Sequence, residues 1–291
     1  MKVFYNRILP FLIVIVSVFG LFGQVSPNKV QIVRTKTLEI VDLEEILKVA
    51  HQYDVIVLGE EHDNADLHRF YEGFVREILS RQTISLSLEM LEKDQQLVVD
   101  EYLKGTISES QFLTSIVHWK NFKTDYLPLV NLLKEKQGNV VAANPPRRYV
   151  SQISKKGISA YKELSKEAIS FLPQPYTIEK YLTKEYKQRL VELFSGSEQN
   201  AHHKINTEFM ILGQATWDQG MAEAISAEIF KTGKKVVHLN GRFHSDRNGG
   251  VVTRLREMGH SVLVLSGFQK GREEEGDFVK IADFVILTND R

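Results

Sequence analysis

Cysteine is absent from all 291 residues. That single absence excludes disulfides, cysteine-anchored lipidation, iron–sulfur clusters, cysteine-ligated zinc and covalent c-type haem. Net charge is absent too, because 37 basic residues balance 37 acidic ones. With no basic low-complexity stretch either, nothing in the chain points to nucleic acid as a partner. The N-terminal apolar run, Ile8 to Phe22, is shorter than the ~20 residues a spanning helix needs. There is no internal repeat, no separate linker, no serine in a nucleophile-elbow setting and no His-Glu-x-x-His run. What is left is an ordinary globular composition, 43% hydrophobic and 25% charged, which suits one folded α/β domain better than a tail or an array.

Lys2 and Arg7 precede the apolar run, Pro10, Ser17 and Gly20 interrupt it, and polar Gln24 to Asn28 follow it. This is the layout of a signal peptide, with small residues at Gly20 and Gly23 near the expected cut. Residues 1–25 are therefore expected to be removed on export to the periplasm or cell envelope, leaving 26–291 as a single domain. An uncleaved membrane anchor is the competing reading.

Beyond residue 27 apolar β-like runs alternate with helical periodicity, which predicts a mainly parallel sheet flanked by helices. Asp42-Leu43-Glu44-Glu45 has the spacing of a helix start, and Leu43, Ile46, Leu47 and Ala50 give it an apolar face. Leu67, Phe70, Tyr71, Phe74 and Ile78 mark a second helix capped by Asp63 or Asn64. Two stretches, about 90–137 and 147–231, read as helical insertions too long for simple crossovers. They are expected to cap the carboxyl ends of the strands.

Two copies of Gly-x-x-His each follow an apolar run: Gly59-Glu60-Glu61-His62 after Val55 to Leu58, and Gly241-Arg242-Phe243-His244 after Val236 to Leu239. In a parallel α/β sheet the residues just past strand ends converge on one crevice. The run Ile84 to Leu88 ends at Glu89, and Asn139 to Ala143 ends at Asn144-Pro145-Pro146-Arg147, so Glu89, Asn144 and Arg147 join His62 and His244 as candidates. Gln214, Trp217, Asp218 and Met221 share one helical face, and core packing does not explain Gln214 and Asp218 on it. His68 reads equally well as a half-buried helix-flank residue, His238 as a satisfied core histidine, His51 and His260 as peripheral, and His202 and His203 as exposed. Glu89 could also be a structural ion-pair partner of Arg147 or Arg148.

Leu58 to Asn64 with His68, Tyr126-Leu127-Pro128-Leu129, Ala142 to Arg147, Gln214 to Ala222 and Asn240 to His244 together resemble the ChaN-like haem-binding family. That family belongs to the haem-binding uptake and Tiki superfamily, with erythromycin esterases and Tiki metalloproteases as relatives. The resemblance spans roughly residues 40 to 265 in order. It implies an exported α/β protein that binds haem as a homodimer and works with haem transport machinery of the envelope in haem or iron uptake. The cofactor set would be His62, His68, Glu89, Asn144, Arg147, Trp217, Asp218 and His244, with ligation through histidine and tyrosine, Tyr71, Tyr126 and Tyr149 being nearest the motifs. This chain departs from better-known members in lacking a lipobox cysteine, so lipid anchoring does not carry over.

The alternative class is a metal-dependent hydrolase of the Tiki or esterase kind. Glu60, His62, Glu89 and His244 would then hold zinc or manganese and a water that the metal acidifies. A metal-free variant would use His62 as general base, oriented by Glu60 or Glu89. Arg147 and Arg148, at an expected helix start behind two prolines, oppose the helix dipole and so predict an anionic partner.

Overall fold

A computed structural model describes residues 30–195 and 206–289 of the chain. The expected signal peptide and the pair His202 and His203 lie outside the described residues. Among the described residues one eight-stranded sheet forms the centre. Its strands are β1 (Val30–Arg34), β2 (Glu39–Val41), β3 (Val55–Glu60), β4 (Ile84–Glu92), β5 (Asn139–Asn144), β6 (Lys235–Gly241), β7 (Val262–Gln269) and β8 (Phe284–Thr288), in the order β2-β1-β8-β7-β3-β6-β4-β5. The six strands from β8 to β5 are parallel, and β1 and β2 add an antiparallel edge.

The central strands are buried along nearly their whole length because helices cover both faces. Every residue of β3 is buried. On one face Ile56, Leu58, Leu86 and Leu239 pack beneath α1 (Leu43–Ala50), α2 (Ala65–Arg81), α3 (Gln96–Leu103), α4 (Glu109–Ser115) and α5 (Leu127–Glu135). On the other, Val55, Val57, Val236 and Val264 meet Met221, Ala222 and Ile225 of a 26-residue helix, Thr207–Thr232, and Val251, Val252 and Leu255 of helix Gly250–Glu257. Each such side chain taken fully out of water contributes roughly 1.5–3 kcal/mol. In chain order the remaining helices are α6 (Arg147–Lys156), α7 (Lys166–Ser170), α8 (Pro175–Ile178) and α9 (Lys184–Ser195); the 26-residue helix is α10, Gly250–Glu257 is α11 and Phe278–Ile281 is α12. Among the described residues no helix is long and apolar enough to cross a membrane.

The expected helix starts are present. Asp42 accepts from the Glu45 N–H, and the second cap resolves to Asn64, whose side chain accepts from the Leu67 N–H. The strand order was not deducible from the sequence. After β3 the chain winds through β4 and β5, returns through α10 to place β6 between β3 and β4, and then builds β7 and β8 on the other side of β3. The winding direction reverses at β3 and β6, where such sheets form their binding crevice. The two strands that carry Gly-x-x-His are these neighbours.

At the far edge, β5 has one side unpaired by strand among the described residues. The Gln96 side chain takes the place of a neighbouring peptide there, donating from Nε2 to the Val140 carbonyl at 2.9 Å and accepting at Oε1 from the Ala142 N–H at 2.7 Å.

Candidate functional site at the carboxyl ends of β3, β4 and β6

The register sets Gly59 beside Asn240 and Glu60 beside Gly241, so the two motifs emerge side by side. Each glycine makes room for the other motif. A Cβ on Gly59 would lie 2.7 Å from Ser245 Oγ and 3.2 Å from Arg242 Cα, and one on Gly241 would lie 2.7 Å from the His62 ring.

Glu60 is the hub. Its carboxylate is fully buried, with Oε1 accepting from His62 Nδ1 at 2.8 Å and from the Tyr126 hydroxyl at 2.7 Å, while Oε2 lies 2.5 Å from His68 Nε2. Burial opposes its ionisation, but the two imidazoles outweigh that and hold its pKa below the ordinary value. The His62 ring is about half exposed, 47% by side chain. Burial lowers its pKa and the hydrogen bond to Glu60 raises it, with a net rise. In the neutral ring Nδ1, facing a carboxylate, carries the proton and the lone pair is on Nε2.

A segment that the sequence did not single out holds this loop. A π-turn over Phe122–Tyr126 brings Asp125 to 3.1 Å from His68 Nδ1. Asn121 donates to the His62 carbonyl and to Asp125, both at 2.8 Å, and Trp119 meets the His62 ring edge-on at 4.5 Å. Within the first helical insertion, this is the part that overhangs the strand ends. Isolated π-turns recur at functional sites, but no spacing rule reveals one in advance. Of its residues only Tyr126 stood in a recognisable motif.

His244 forms the second half. It is buried, with Nδ1 2.6 Å from Asp218 Oδ1, Nε2 3.6 Å from Glu89 Oε1, and the Gln214 amide within 3.3 Å. Burial pushes its pKa down, yet the Glu89 and Asp218 carboxylates prevail and lift it to about 9. The expected polar face of α10 is therefore real in Gln214 and Asp218. Trp217 turns aside to donate to the Pro145 carbonyl at 3.2 Å. Arg254, wholly buried, stands 3.8 Å behind Asp218.

Glu89 is not the last residue of its strand. β4 continues to Glu92 with a shift in register after Leu88, and that irregularity lets Glu89 Oε2 accept from the Gly241 N–H at 2.7 Å. Glu89 therefore belongs to the crevice and pairs with neither Arg147 nor Arg148. Arg148 is bound instead by Asp94 at 2.5 Å and Glu92 at 3.5 Å, and Glu92 also accepts from the Arg147 N–H. Helix α6 begins at Arg147, as expected, with the Arg147 side chain exposed. Asn144 Oδ1 is buried and without a hydrogen bond among the described residues.

His68 stands behind Glu60, 3% exposed, out of reach of a bound molecule. His238 is the expected core histidine, bonded to Ser87 at 2.9 Å and lowered by burial to about 3. His260, expected at the periphery, is 9% exposed and bonds Ser226 at 2.8 Å. Tyr71 and Tyr126 are fully buried and donate to the Gly59 carbonyl and to Glu60. Among the described residues no three His, Asp or Glu side chains are grouped to hold a metal ion; Glu60 has both oxygens engaged.

A family model described as haem-binding uptake, Tiki superfamily, ChaN matches residues 46–255. Among solved structures, ChaN of Campylobacter jejuni, studied for cofacial haem binding, is similar with a TM-score of 0.68 and 20% identity over 91% of this chain and 98% of that one. A succinoglycan biosynthesis protein gives a TM-score of 0.52 at 9% identity, over 85% and 90% of the two chains. The erythromycin esterase EreC in its open conformation gives 0.46 at 12%, over 89% and 82%. At 20% and 9% identity the first two likenesses show the fold alone. No curated protein matches the chain.

Proposed function

The chain belongs to the haem-binding uptake, Tiki superfamily, ChaN family, and from that premise we propose that it is an exported haem-binding protein acting in haem or iron uptake. The observation that carries this reading is the half-exposed His62 ring, fixed at Nδ1 by a fully buried carboxylate, with Nε2 lying over Gly241 in the crevice. Haem, when bound, would supply an iron centre, and the His62 imidazole would be the residue holding it. A carboxylate on the far nitrogen orients the ring and raises its basicity, as second-shell partners of metal-bound histidines do.

The tyrosine candidates divide by burial. Tyr71 and Tyr126 are shut in, and burial with the nearby Glu60 charge raises both their pKa values, so neither offers a phenolate. Tyr149 is half-buried, its hydroxyl 3.2 Å from Arg148 Nη2, and is the tyrosine left for such a role. Arg147, exposed at the start of α6, is the cation proposed for a propionate. Assembly as a homodimer, removal of residues 1–25 and hand-over to envelope haem transport machinery are parts of the same proposal.

Haemin titration of the purified mature protein, followed by absorption beside elemental analysis, tests it. His62→Ala should weaken binding by about tenfold or more, the loss of roughly 1.4 kcal/mol. Absence of any haemin complex in the wild type would overturn the reading.

One observation favours a second reading. A carboxylate-oriented imidazole with a free Nε2 is also the geometry of a general base, and His244 beside Glu89 adds a cation across the crevice. The metal-free form of the hydrolase fits the observed donor arrangement better than the metal-dependent one. Cleavage of an ester or peptide that resists chelators and is abolished in His62→Ala would favour it.

A further inference from the structure

Away from the crevice, a cleft of about 940 Å³ lies between α3, the turn from α5 into β5, and α10. Its volume falls in the range of small-molecule sites. The floor is apolar: Val140 and Ala142 of β5, Leu103 of α3, and Ala224 and Ala227, three residues apart on α10. The exposed edge of a strand would ordinarily invite a peptide to pair with it. Here Gln96 already occupies the outward carbonyl of Val140 and N–H of Ala142, so the wall offers apolar contact and not strand pairing.

The rim is cationic. Lys93, Lys104, Lys134 and Lys231 line the cleft against two carboxylates, Asp100 and Glu228, so four positive charges less two negative leave an excess of two. Both carboxylates are committed elsewhere, Asp100 to Gln96 and Glu228 to Ser85 and Asn139. Lys134 rests on the Tyr102 ring at 3.6 Å. Lys93, Lys104 and Lys231 have no side-chain hydrogen bond or ion pair among the described residues. Lys93 is half-buried, and its pKa is lowered by burial, with Glu223 only partly restoring it. A desolvated ammonium that makes no direct ion pair is costly, and an anion entering the cleft would relieve that cost.

We propose that this cleft is a second binding site, separate from the His62 crevice, for a small amphipathic anion with an apolar body and a carboxylate or sulfonate head. The body lies on the Val140, Ala142, Leu103 and α10 alanine surface. The head meets Lys93, and Lys231 adds its charge at the far end of the same cleft. The inference is independent of haem binding.

Fluorescence titration of the full chain with 1-anilinonaphthalene-8-sulfonate, an aromatic sulfonate, tests the proposal. Dodecanoate should displace the dye and dodecanol should not, because only the former carries the charge. The double variant Lys93→Gln with Lys231→Gln should raise the dye's Kd by about tenfold or more, as loss of a charge-assisted hydrogen bond does. Ala227→Phe, at an exposed position, should block the floor without disturbing the core. Haemin titration should be unchanged in all of these. Equal displacement by dodecanol, or dye binding indifferent to the lysine pair and to Ala227→Phe, overturns the proposal. Parallel loss of haemin and dye binding would make the cleft part of the crevice and also overturn it. A dye signal that falls as the protein is concentrated would show that a second copy, not a small anion, occupies the cleft.

Discussion

Gly241 positions His62 by having no side chain. Its backbone, at φ −56 and ψ 130, is open to any residue, so the demand for glycine comes only from the ring 2.7 Å from where a Cβ would stand. Gly241→Ala is therefore expected to leave the fold intact by circular dichroism while swinging His62 away from its place and weakening haemin binding. Unchanged affinity would mean that His62 does not hold the ligand. Tyr126 makes the converse case. Its hydroxyl serves Glu60 and nothing outside, so Tyr126→Phe should cost about 1.5–3 kcal/mol of stability, the worth of a hydrogen bond to a charged group. The absorption spectrum of the haemin complex should stay as in the wild type; a changed spectrum would make Tyr126 an iron ligand after all. The sequence disclosed His62, Glu89 and His244 because strand ends of a parallel sheet must converge. It did not disclose Asp125, Asn121 or Trp119, whose places depend on a π-turn created by packing, nor the aim of Glu89, which depends on an irregularity in β4.

Helix α10 shows the same split between what is local and what is tertiary. Its polar pair Gln214 and Asp218 could be read from spacing, but its 26-residue length could not, since the sequence showed only a helical insertion of about 147–231. Neither could its seating. A Cβ on Gly220 would come within 2.1 Å of the Pro145 ring, and one on Gly213 within 1.9 Å of Ser154 Oγ, which is why the helix can lie close against β5 and α6. By intrinsic propensity Gly220→Ala should stabilise the helix by up to about 1 kcal/mol. Overpacking against a rigid proline ring costs typically 1–3 kcal/mol and should prevail, lowering the melting temperature in calorimetry. A rise would mean that α10 is not seated on Pro145. The strand order is likewise tertiary. Alternating runs predicted a mainly parallel sheet, but the insertion of β6 between β3 and β4 rests on which faces α2, α10 and α11 cover, and no single run encodes that.

For the molecule as a whole, the buried histidines set opposite limits on stability with pH. His244 binds its proton more tightly folded, at about 9 against an ordinary 6.5, so its contribution is complete below about pH 6.5 and is lost as the pH rises through about 9. His62, raised in the same direction, acts likewise. His238, lowered to about 3, works the other way. The unfolded chain takes up a proton that the folded one refuses, so stability falls as the pH drops from about 6.5 toward 3. Urea unfolding midpoints should thus be greatest near pH 6.5 and decline toward pH 9, with a shallower alkaline decline in His244→Gln; an identical slope would place the responsible group elsewhere. The sheet's outer limit has its own consequence. Because the Gln96 amide imitates one peptide of a ninth strand, β5 is withheld from strands of other molecules, and a copy could add there only by displacing it. Gln96→Ala should therefore leave each monomer folded yet open the sheet to end-on growth, visible as concentration-dependent oligomers in light scattering. A dimer of the wild-type chain must then be built through side chains and helices, not by continuing the sheet across the β5 edge.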